Sequence, residues 1–305
     1  MVGPTAAGKT SFSIRLAQAL GGAEKVEIIS ADAFQLYRGM NIGTAKITAA
    51  EAAGIKHHQI DVLDISQAAS VGAYQKFARI DLANILQEGN IPIVVGGSGL
   101  YVSALLDQLN FPGSFPEIRI ELEQRFAVEG LPPLLAELKS LDELSYQKVA
   151  RDNPRRVIRA LEVVRGSGKS FIPEVPRFTS AFEKIKFFGV TAQREILAER
   201  IYHRVTQMFV QGFPNEVAAL LEKGLSDSPT AYKATGYQQV ARYLSGELTR
   251  EEAIFETSFQ TRRLAKKQLT WFRADSRIEW LDLSDDIRNG SDEKITSVLQ
   301  ELGTL

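Results

Sequence analysis

The sequence predicts an α/β fold: a P-loop-containing parallel sheet core flanked by helices, with an all-helical insertion domain. Three observations favour this fold. A phosphate-binding motif stands at residues 3–10, and short apolar strands alternate with helical patterns through the first third of the chain. The strand signal then disappears between residues 110 and 177. The chain has 305 residues, and at about 100 to 200 residues per domain this is enough for two domains or for one interrupted domain.

Composition and charge exclude several classes of protein. The absence of cysteine excludes a disulfide framework, a thiolate metal site and a cysteine nucleophile, and three histidines leave few ligands for zinc. No apolar stretch approaches the roughly 20 residues of a membrane span. We therefore expect a cytoplasmic protein, and we expect a monomer. The net charge of -1 does not point to a polyanionic partner, so any such partner needs a local basic patch.

The first elements follow the order expected of a parallel sheet. Strands are predicted at residues 26–29 and 91–95, and a helix at residues 71–87 lies between them. Apolar residues recur at helical spacing in that helix, and Gly89 ends it. A further helix is predicted at residues 11–20, directly after the phosphate motif.

A helical insertion is predicted at residues 113–181, between core segments at residues 1–112 and 182–305. Proline-rich stretches border it at residues 111–116 and 172–176. Helical patterns occupy residues 117–129, 134–138 and 154–165. The strand signal returns at residues 184–191, and the chain then continues with long helices at residues 194–211 and 250–273 and a last strand at residues 277–281.

The phosphate motif is a full match to G-x-x-x-x-G-K-S/T. Its glycines let backbone N–H groups converge on phosphate oxygens, and the helix that follows directs the positive end of its dipole at them. Lys9 adds a point charge, and the Thr10 hydroxyl can ligate Mg²⁺. The motif comprises Gly3, Pro4, Thr5, Ala6, Ala7, Gly8, Lys9 and Thr10.

Two departures from an ordinary P-loop protein surround this motif. The strand that should precede the loop is reduced to Met1 and Val2. We expect an internal or misassigned start, and a form with about five to ten more apolar N-terminal residues, the length of a strand, should bind phosphate better. The strand at residues 91–95 ends in Gly96 rather than in the Asp of a Walker B motif, which counts against ordinary nucleotide hydrolysis.

Five further segments, taken with the phosphate motif, resemble the tRNA dimethylallyltransferases, also called tRNA isopentenyltransferases. The first begins at Ser30-Ala31-Asp32 and runs to residue 46. The others match in the same order as in that family, so the resemblance extends from residue 3 to about residue 281. They lie at residues 57–64, 95–101, 153–162 and 261–273.

The resemblance implies that the P-loop holds dimethylallyl diphosphate, with Mg²⁺ at Thr10. The prenyl group would go to the exocyclic N6 amine of the adenosine at position 37, next to the anticodon of tRNA. A conjugated amine is a poor nucleophile, so a carboxylate must take its proton, and Asp32 stands just past a strand end. The alternative for Asp32 is a strand-terminal cap or an outer ligand of Mg²⁺.

Three more residues complete the implied chemistry. Ser98 stands where the family usually has Thr and would contact the RNA near the reacting base, or it could cap the helix that starts at Gly99. Arg200 and Arg204 are four residues apart on a predicted helix, so both could close on the diphosphate or could lie on a solvated face. The implied catalytic set is Lys9, Asp32, Ser98 and Arg204, and the implied diphosphate-binding set is the whole phosphate motif with Arg200 and Arg204.

Two basic helices are expected to track the RNA backbone although the chain is neutral overall. Residues 151–169 hold six basic and two acidic side chains, and residues 261–273 hold five basic and none acidic. The alternative is a pair of solvated helices. The resemblance implies RNA contacts at Asp32, Ala33, Phe34, Gln35, Ser98, Arg119, Arg155, Arg156, Val157, Ile158, Arg159, Lys233, Ala234, Thr235, Gly236, Tyr237 and Gln238.

Some of these positions depart from the family pattern. Ala33 replaces a common Ser and removes one hydrogen bond to RNA. Lys233 and Gln238 stand where the family usually has Arg, so bidentate contacts are in question there. Tyr237 could stack on a base or could pack in the core.

Three other functions stay open. The chain could be a related enzyme that prenylates free adenine nucleotides, although such a substrate needs no helical clamp. A P-loop kinase of small metabolites is disfavoured by the missing Walker B acid. A non-catalytic RNA-binding protein is disfavoured by the intact Gly8-Lys9-Thr10 together with Asp32.

Overall fold

The computed structural model describes residues 1–171, 178–284 and 291–303. The chain divides into two compact units. One comprises Met1–Asp107 and Ser180–Leu305, and we call it the α/β unit; the other, Gln108–Thr179, is the helical unit. The borders predicted from the sequence, at residues 112/113 and 181/182, lie a few residues further along the chain.

Five strands and twelve α-helices are formed by the part of the chain that the structure describes. The strands are β1 (Val26–Ser30), β2 (His57–His58), β3 (Ile91–Val95), β4 (Phe187–Thr191) and β5 (Ile278–Asp282). The helices are α1 (Lys9–Ala19), α2 (Val71–Gln87), α3 (Gly99–Leu106), α4 (Pro116–Glu129), α5 (Leu131–Leu141), α6 (Glu143–Lys148), α7 (Pro154–Ser167), α8 (Arg194–Val210), α9 (Phe213–Glu222), α10 (Tyr237–Leu244), α11 (Arg250–Arg273) and α12 (Ser291–Leu302).

All strand pairs in the α/β unit are parallel. β1 lies between β2 and β3, and β4 pairs with β5. Val2 joins the two groups, because it forms parallel bridges to Gly96 and to Gly189. Its N–H donates to the Phe188 carbonyl oxygen at 2.8 Å, and its own carbonyl oxygen accepts the Val190 N–H at 2.9 Å. Val2 therefore leads from the middle of the sheet directly into the P-loop.

Helices cover both faces of the sheet. Every residue of β1 is buried, as expected of a parallel strand packed on both sides. Ile28 belongs to the apolar cluster that contains α1, and Ile29 belongs to the cluster that contains α2 and α3. The buried stripe of α2 is narrower than its sequence suggests, since Phe77, Ile80 and Leu86 are exposed.

The helical unit has its own core. α4 and α5 both pack against α7, and Leu122, Leu134 and Leu161 are fully buried among them. The Asn153 side chain accepts the Arg156 N–H and caps α7, while Gly168 ends it in a left-handed conformation. The proline-rich border predicted at residues 172–176 lies outside the described residues.

The predicted fold class is confirmed, since helices flank a parallel sheet and the helical unit is inserted in the sequence of the α/β unit. Helices predicted at residues 71–87 and 250–273 coincide with α2 and α11. The sequence prediction did not include β2, α6, α9, α10 or α12. Among the described helices, none is both long and apolar enough to cross a membrane.

Candidate functional site: a phosphate loop beside Asp32

The P-loop takes the shape that its glycines allow. Gly3 has φ 139° and Gly8 has φ 95°, both in the region that favours glycine. A Cβ atom at Gly3 would also overlap the Val190 carbonyl oxygen. Gly8 caps α1, so the first residue of the helix is Lys9 and the N-terminal N–H groups of α1 border the loop.

Two cations lie at this loop without a carboxylate partner. The Lys9 ammonium donates to the Pro4 carbonyl oxygen at 2.8 Å, and an Arg204 N–H donates to the Thr5 hydroxyl oxygen at 3.3 Å. Neither cation forms an ion pair with any residue that the structure describes. The structure thus brings Lys9 and Arg204 to the same loop, as the resemblance implies.

The pKa values of Lys9 and Arg204 reflect the lack of a carboxylate partner. Although Lys9 keeps some exposed surface, burial of the ammonium and then the nearby Arg204 charge lower its pKa to about 8, while Asp32 opposes the shift. Burial also lowers the pKa of Arg204 below its ordinary value, again opposed by Asp32. A bound anion would reverse both effects, so the loop is an anion site by charge as well as by shape.

Asp32 lies two residues past the end of β1. One carboxylate oxygen, Oδ1, accepts the N–H groups of Phe34 at 2.9 Å and of Gln35 at 3.3 Å. The other, Oδ2, has no hydrogen bond within the described ranges. Asp32 therefore does cap its own turn, which is one of the two alternatives, and it also keeps an oxygen that can take up a proton.

Ser98 is tied to the same turn. It precedes α3, but its side chain makes no capping hydrogen bond to that helix; instead its hydroxyl oxygen accepts the Ala33 N–H at 3.2 Å. The Ser98 N–H donates to the Ala31 carbonyl oxygen at 3.3 Å. The loops after β1 and β3 are thereby joined, and the Ser98 hydroxyl hydrogen stays available for a substrate.

The sequence prediction missed Gln268 and Trp271 as site residues. Gln268 accepts the Thr5 N–H at 2.8 Å, and a side chain at Gly97 would collide with its amide. A side chain at Gly99 would likewise collide with the Trp271 ring. Both residues lie in the matched segment at residues 261–273, of which only the basic side chains were predicted to be functional. The three-residue spacing of Gln268 and Trp271 indicates that both lie on one face of the helix.

The remaining polar groups of the β1 loop are used internally. The Gln35 amide nitrogen donates to the carbonyl oxygens of Thr44 at 3.3 Å and Ala45 at 3.4 Å, and its amide oxygen accepts the Ser30 hydroxyl at 3.0 Å. Phe34 packs on the core cluster around α8 and α9. Thr10 is exposed, and none of the hydrogen bonds in the described part of the chain involves its hydroxyl.

Arg200 and Arg204, the expected pair of arginines, have different partners. Its guanidinium donates to the carbonyl oxygens of Leu283 at 2.9 Å and Ser284 at 3.2 Å, just beyond β5. Arg200 is therefore attached to the end of the last strand, whereas Arg204, one turn later, contacts the P-loop. Equal spacing on a helix did not give the two side chains equal contacts.

Burial also corrects the expected RNA contacts. Four side chains in the implied set are buried and cannot reach RNA: Val157, Ile158, Ala234 and Tyr237. Gly236 is buried as well, and Thr235 is half-buried. The exposed ones are Arg155, Arg156, Lys233 and Gln238.

Tyr237 packs rather than stacks. Its side chain is 0% exposed, its ring meets the Phe213 ring edge-on at 5.1 Å between centroids, and its hydroxyl donates to Glu216 at 2.7 Å. Glu216 also accepts three backbone N–H groups at residues 41–43. The ring of Tyr237 has no face left for a base, so its role is to hold this carboxylate in place.

In the helical unit, Glu162 accepts hydrogen bonds from two of the arginines that the resemblance implies for RNA binding. The carboxylate is 0% exposed and accepts from Arg159 at 2.7 Å, from Arg119 at 3.4 Å and from the Phe115 N–H at 2.9 Å. In α11 of the α/β unit the situation is the opposite. Arg262, Arg263, Lys266 and Lys267 are exposed, and no carboxylate in the described ranges pairs with them.

Comparison with known proteins gives consistent relatives. The model of the IPP transferase family matches residues 35–275. A tRNA dimethylallyltransferase from Streptomyces avermitilis is 46% identical over 281 residues, covering 92% of this chain and 88% of the relative. Another from Mycobacterium leprae is 43% identical over 293 residues, covering 95% and 94%. The crystal structure of a tRNA isopentenylpyrophosphate transferase from Bacillus halodurans superposes with a TM-score of 0.69 at 38% identity, covering 99% of this chain and 95% of that one.

Proposed function

This chain belongs to the IPP transferase family, and we propose that it transfers the dimethylallyl group of dimethylallyl diphosphate to the exocyclic N6 amine of the adenosine at position 37, next to the anticodon of tRNA. One observation above all supports this reaction. Lys9 and Arg204 stand at a phosphate loop without carboxylate partners, beside an Asp32 carboxylate that has one free oxygen. A diphosphate leaving group needs the first feature, and an amine nucleophile needs the second.

The loop would bind the diphosphate before any bond changes. The N-terminal N–H groups of α1 direct a positive dipole end at it, and Lys9 and Arg204 supply two full charges. As the bond between C1 of the prenyl group and the diphosphate oxygen breaks, its electron pair stays on the diphosphate. The two cations stabilise that growing charge more than they stabilise the substrate.

Asp32 would take the proton that the amine must lose. The N6 lone pair forms the new bond to C1, and an N6 proton passes to the free Oδ2 of Asp32. The hydrogen bonds at Oδ1 fix the carboxylate during this step. Ser98, held by the Ala33 N–H, can donate its hydroxyl hydrogen to the adenine ring and orient it.

Magnesium fits this site through Thr10 and the substrate. No cluster of three or more His, Asp or Glu side chains suited to a metal occurs in the described ranges. Mg²⁺ commonly binds through one or two protein ligands together with substrate phosphates. The exposed Thr10 hydroxyl would be that protein ligand, and the ion would add neutralising charge on the diphosphate.

The RNA would be held mainly by cations that have no carboxylate partner. These are Arg155 and Arg156 on α7 and the four exposed cations of α11. The target adenosine must leave its stack to reach Asp32, which is a form of base flipping. The helical unit is proposed to clamp the anticodon stem-loop, and the protein is proposed to act as a monomer in the cytoplasm.

The test is a transfer assay with labelled dimethylallyl diphosphate and Mg²⁺. One sample contains an anticodon stem-loop with adenosine at position 37, a matched control contains guanosine there, and a third contains AMP. The proposal predicts label only in the adenosine stem-loop. Label in AMP alone would support the free-nucleotide alternative and contradict the proposal.

A further inference from the structure

Two phenylalanine rings stand exposed on the outer face of α11. Phe255 is 61% exposed and Phe259 is 45% exposed, and their four-residue spacing places them on one face of the helix. Gln268 lies nine residues beyond Phe259, and at 100° per residue that is half a turn away. The exposed rings are therefore on the opposite side of α11 from the residue that contacts the P-loop.

Cations surround the second ring. The guanidinium carbons of Arg262 and Arg263 lie 5.9 and 6.0 Å from the centroid of the Phe259 ring. Neither arginine pairs with a carboxylate in the described chain, and Lys266 continues the same face one turn on. Arg242, in the same unit, shows the contrast, because it is paired with Glu247 at 2.6 Å and with Glu256 at 2.7 Å.

We propose that this aromatic and basic face of α11 is a binding surface for unpaired RNA, on which Phe259 stacks with a base. An aromatic ring accepts any base through its π-face, and unpaired arginines and lysines next to it attract phosphates. Phe255 offers a second ring about 6 Å further along the helix axis. The inference rests on the proposed function, because it adds base stacking to the α11 cations already assigned to the same RNA substrate.

Two other partners share part of this chemistry. An anionic membrane attracts exposed aromatic and basic side chains, and a protein could cover the rings. Unpaired RNA is favoured because Phe259 lies beside two guanidinium groups without carboxylate partners in the described chain, and because the proposed substrate presents unpaired bases in its anticodon loop. Binding of anionic vesicles is therefore kept as an outcome of the test.

The experiment measures the affinity of the full chain for two RNA probes by fluorescence anisotropy. One probe is a short unstructured RNA, and the other is an RNA duplex with the same number of phosphates. Phe259→Ala should weaken binding of the unstructured RNA by about 5- to 100-fold and leave duplex binding nearly unchanged. Phe259→Tyr should bind like the parent protein, because it keeps the aromatic face.

Matched controls separate stacking from general damage. Phe77→Ala removes another exposed ring, 56% exposed and also beside a lysine, from α2 of the same unit, and it should change neither affinity. Lys266→Ala should weaken both probes alike and reduce the salt dependence of binding by about one charge. Unchanged melting temperatures would show that the variants are folded.

Three results would overturn the inference. They are an unchanged affinity of Phe259→Ala for unstructured RNA, an equal loss on both probes, and a loss of binding to anionic vesicles without a loss on RNA. The proposed function fails separately, if the parent protein transfers no prenyl group to the stem-loop. A parent protein that transfers normally, together with a Phe259→Ala variant of unchanged RNA affinity and KM, would contradict this inference alone.

Discussion

Arginines of the helical unit are paired with carboxylates, whereas the cations of the P-loop form no ion pair with any described residue. In the helical unit Arg165 makes a two-pronged pair with Glu121, at 2.9 and 2.8 Å. At the P-loop, the hydrogen-bond partners of Lys9 and Arg204 among the described residues are a carbonyl oxygen and a hydroxyl oxygen. Both regions are rich in positive charge, but only in the helical unit do carboxylates of the described chain pair with the cations.

The difference indicates what each set of charges is for. A paired arginine is already satisfied, so it stabilises the local fold and attracts an anion weakly. A cation that is partly desolvated and unpaired raises the free energy of the empty site, and an arriving diphosphate removes that cost. Less charge in residues 151–169 is therefore available to RNA than the number of bases suggests. Arg159 and Arg165 are paired, and Arg155 and Arg156 have no carboxylate partner among the described residues.

Replacing the Asp32 carboxylate, beside the unpaired cations, should cause the greatest loss of activity. Asp32→Asn keeps an oxygen that can accept the Phe34 and Gln35 N–H groups but cannot take up the amine proton. We expect kcat to fall by about 10²- to 10⁴-fold. Affinity for dimethylallyl diphosphate should be retained, because the variant leaves both cations in place. Steady-state kinetics with near-normal kcat would remove Asp32 from the role of base.

The next effect breaks the paired region. Glu162→Ala removes a buried acceptor and leaves the Phe115 N–H and the Arg159 guanidinium, which is 27% exposed, without this hydrogen bond, at a cost of about 1 to 3 kcal/mol. Glu123→Ala removes an exposed partner of Arg119 and should cost at most about 1 kcal/mol. Urea unfolding monitored in the helical unit compares the two. Equal losses would mean that the buried carboxylate does not hold this unit together.

The pH dependence of ligand binding tests the unpaired ammonium. The pKa of Lys9 is lowered to about 8 without ligand, and a bound diphosphate must raise it. Affinity for dimethylallyl diphosphate should therefore be constant below that pH and should fall above it, by at most about tenfold per pH unit. Titrations at pH 7 and pH 9 measure the fall. Lys9→Met should bind more weakly at both and lose this dependence; a variant that keeps it would assign the titration elsewhere.

The smallest effect comes from an exposed pair. Arg165→Ala removes the contact with Glu121, which is about half exposed, and should change stability by roughly 0 to 1 kcal/mol. Thermal melts at low and high salt measure it, and salt should reduce the difference further. A loss of several kcal/mol would show that the paired arginines contribute more than surface pairs do.

The sequence predicted the parts of the molecule that depend on local pattern. Residues close together in the sequence are enough to recognise the helical periodicity of α2 and α11, the glycines of the P-loop and the position of Asp32 after a strand. The strand β2 has two residues, too few to show a period. Its residue His58 lies against Glu27 at 2.6 Å, a contact that no spacing predicts.

The missed parts of the site depend on distant contacts. Gln268 meets Thr5 across 263 residues of sequence, so its role is visible only when α11 is in place. Arg200 and Arg204 look equivalent on a helical wheel, and only the position of β5 separates them. Tyr237 turned out to be buried because Phe213 and Glu216 meet it there.

Calorimetric titration with dimethylallyl diphosphate measures whether the unpaired cations bind the diphosphate. The comparison uses the parent protein, Arg204→Ala and Arg165→Ala, which each remove one guanidinium from one of the two regions. We expect affinity to fall by about 10- to 100-fold in Arg204→Ala, which is the size of a hydrogen bond to a charged group, and not to change in Arg165→Ala. Equal affinities for all three proteins, or a larger loss for Arg165→Ala, would contradict it.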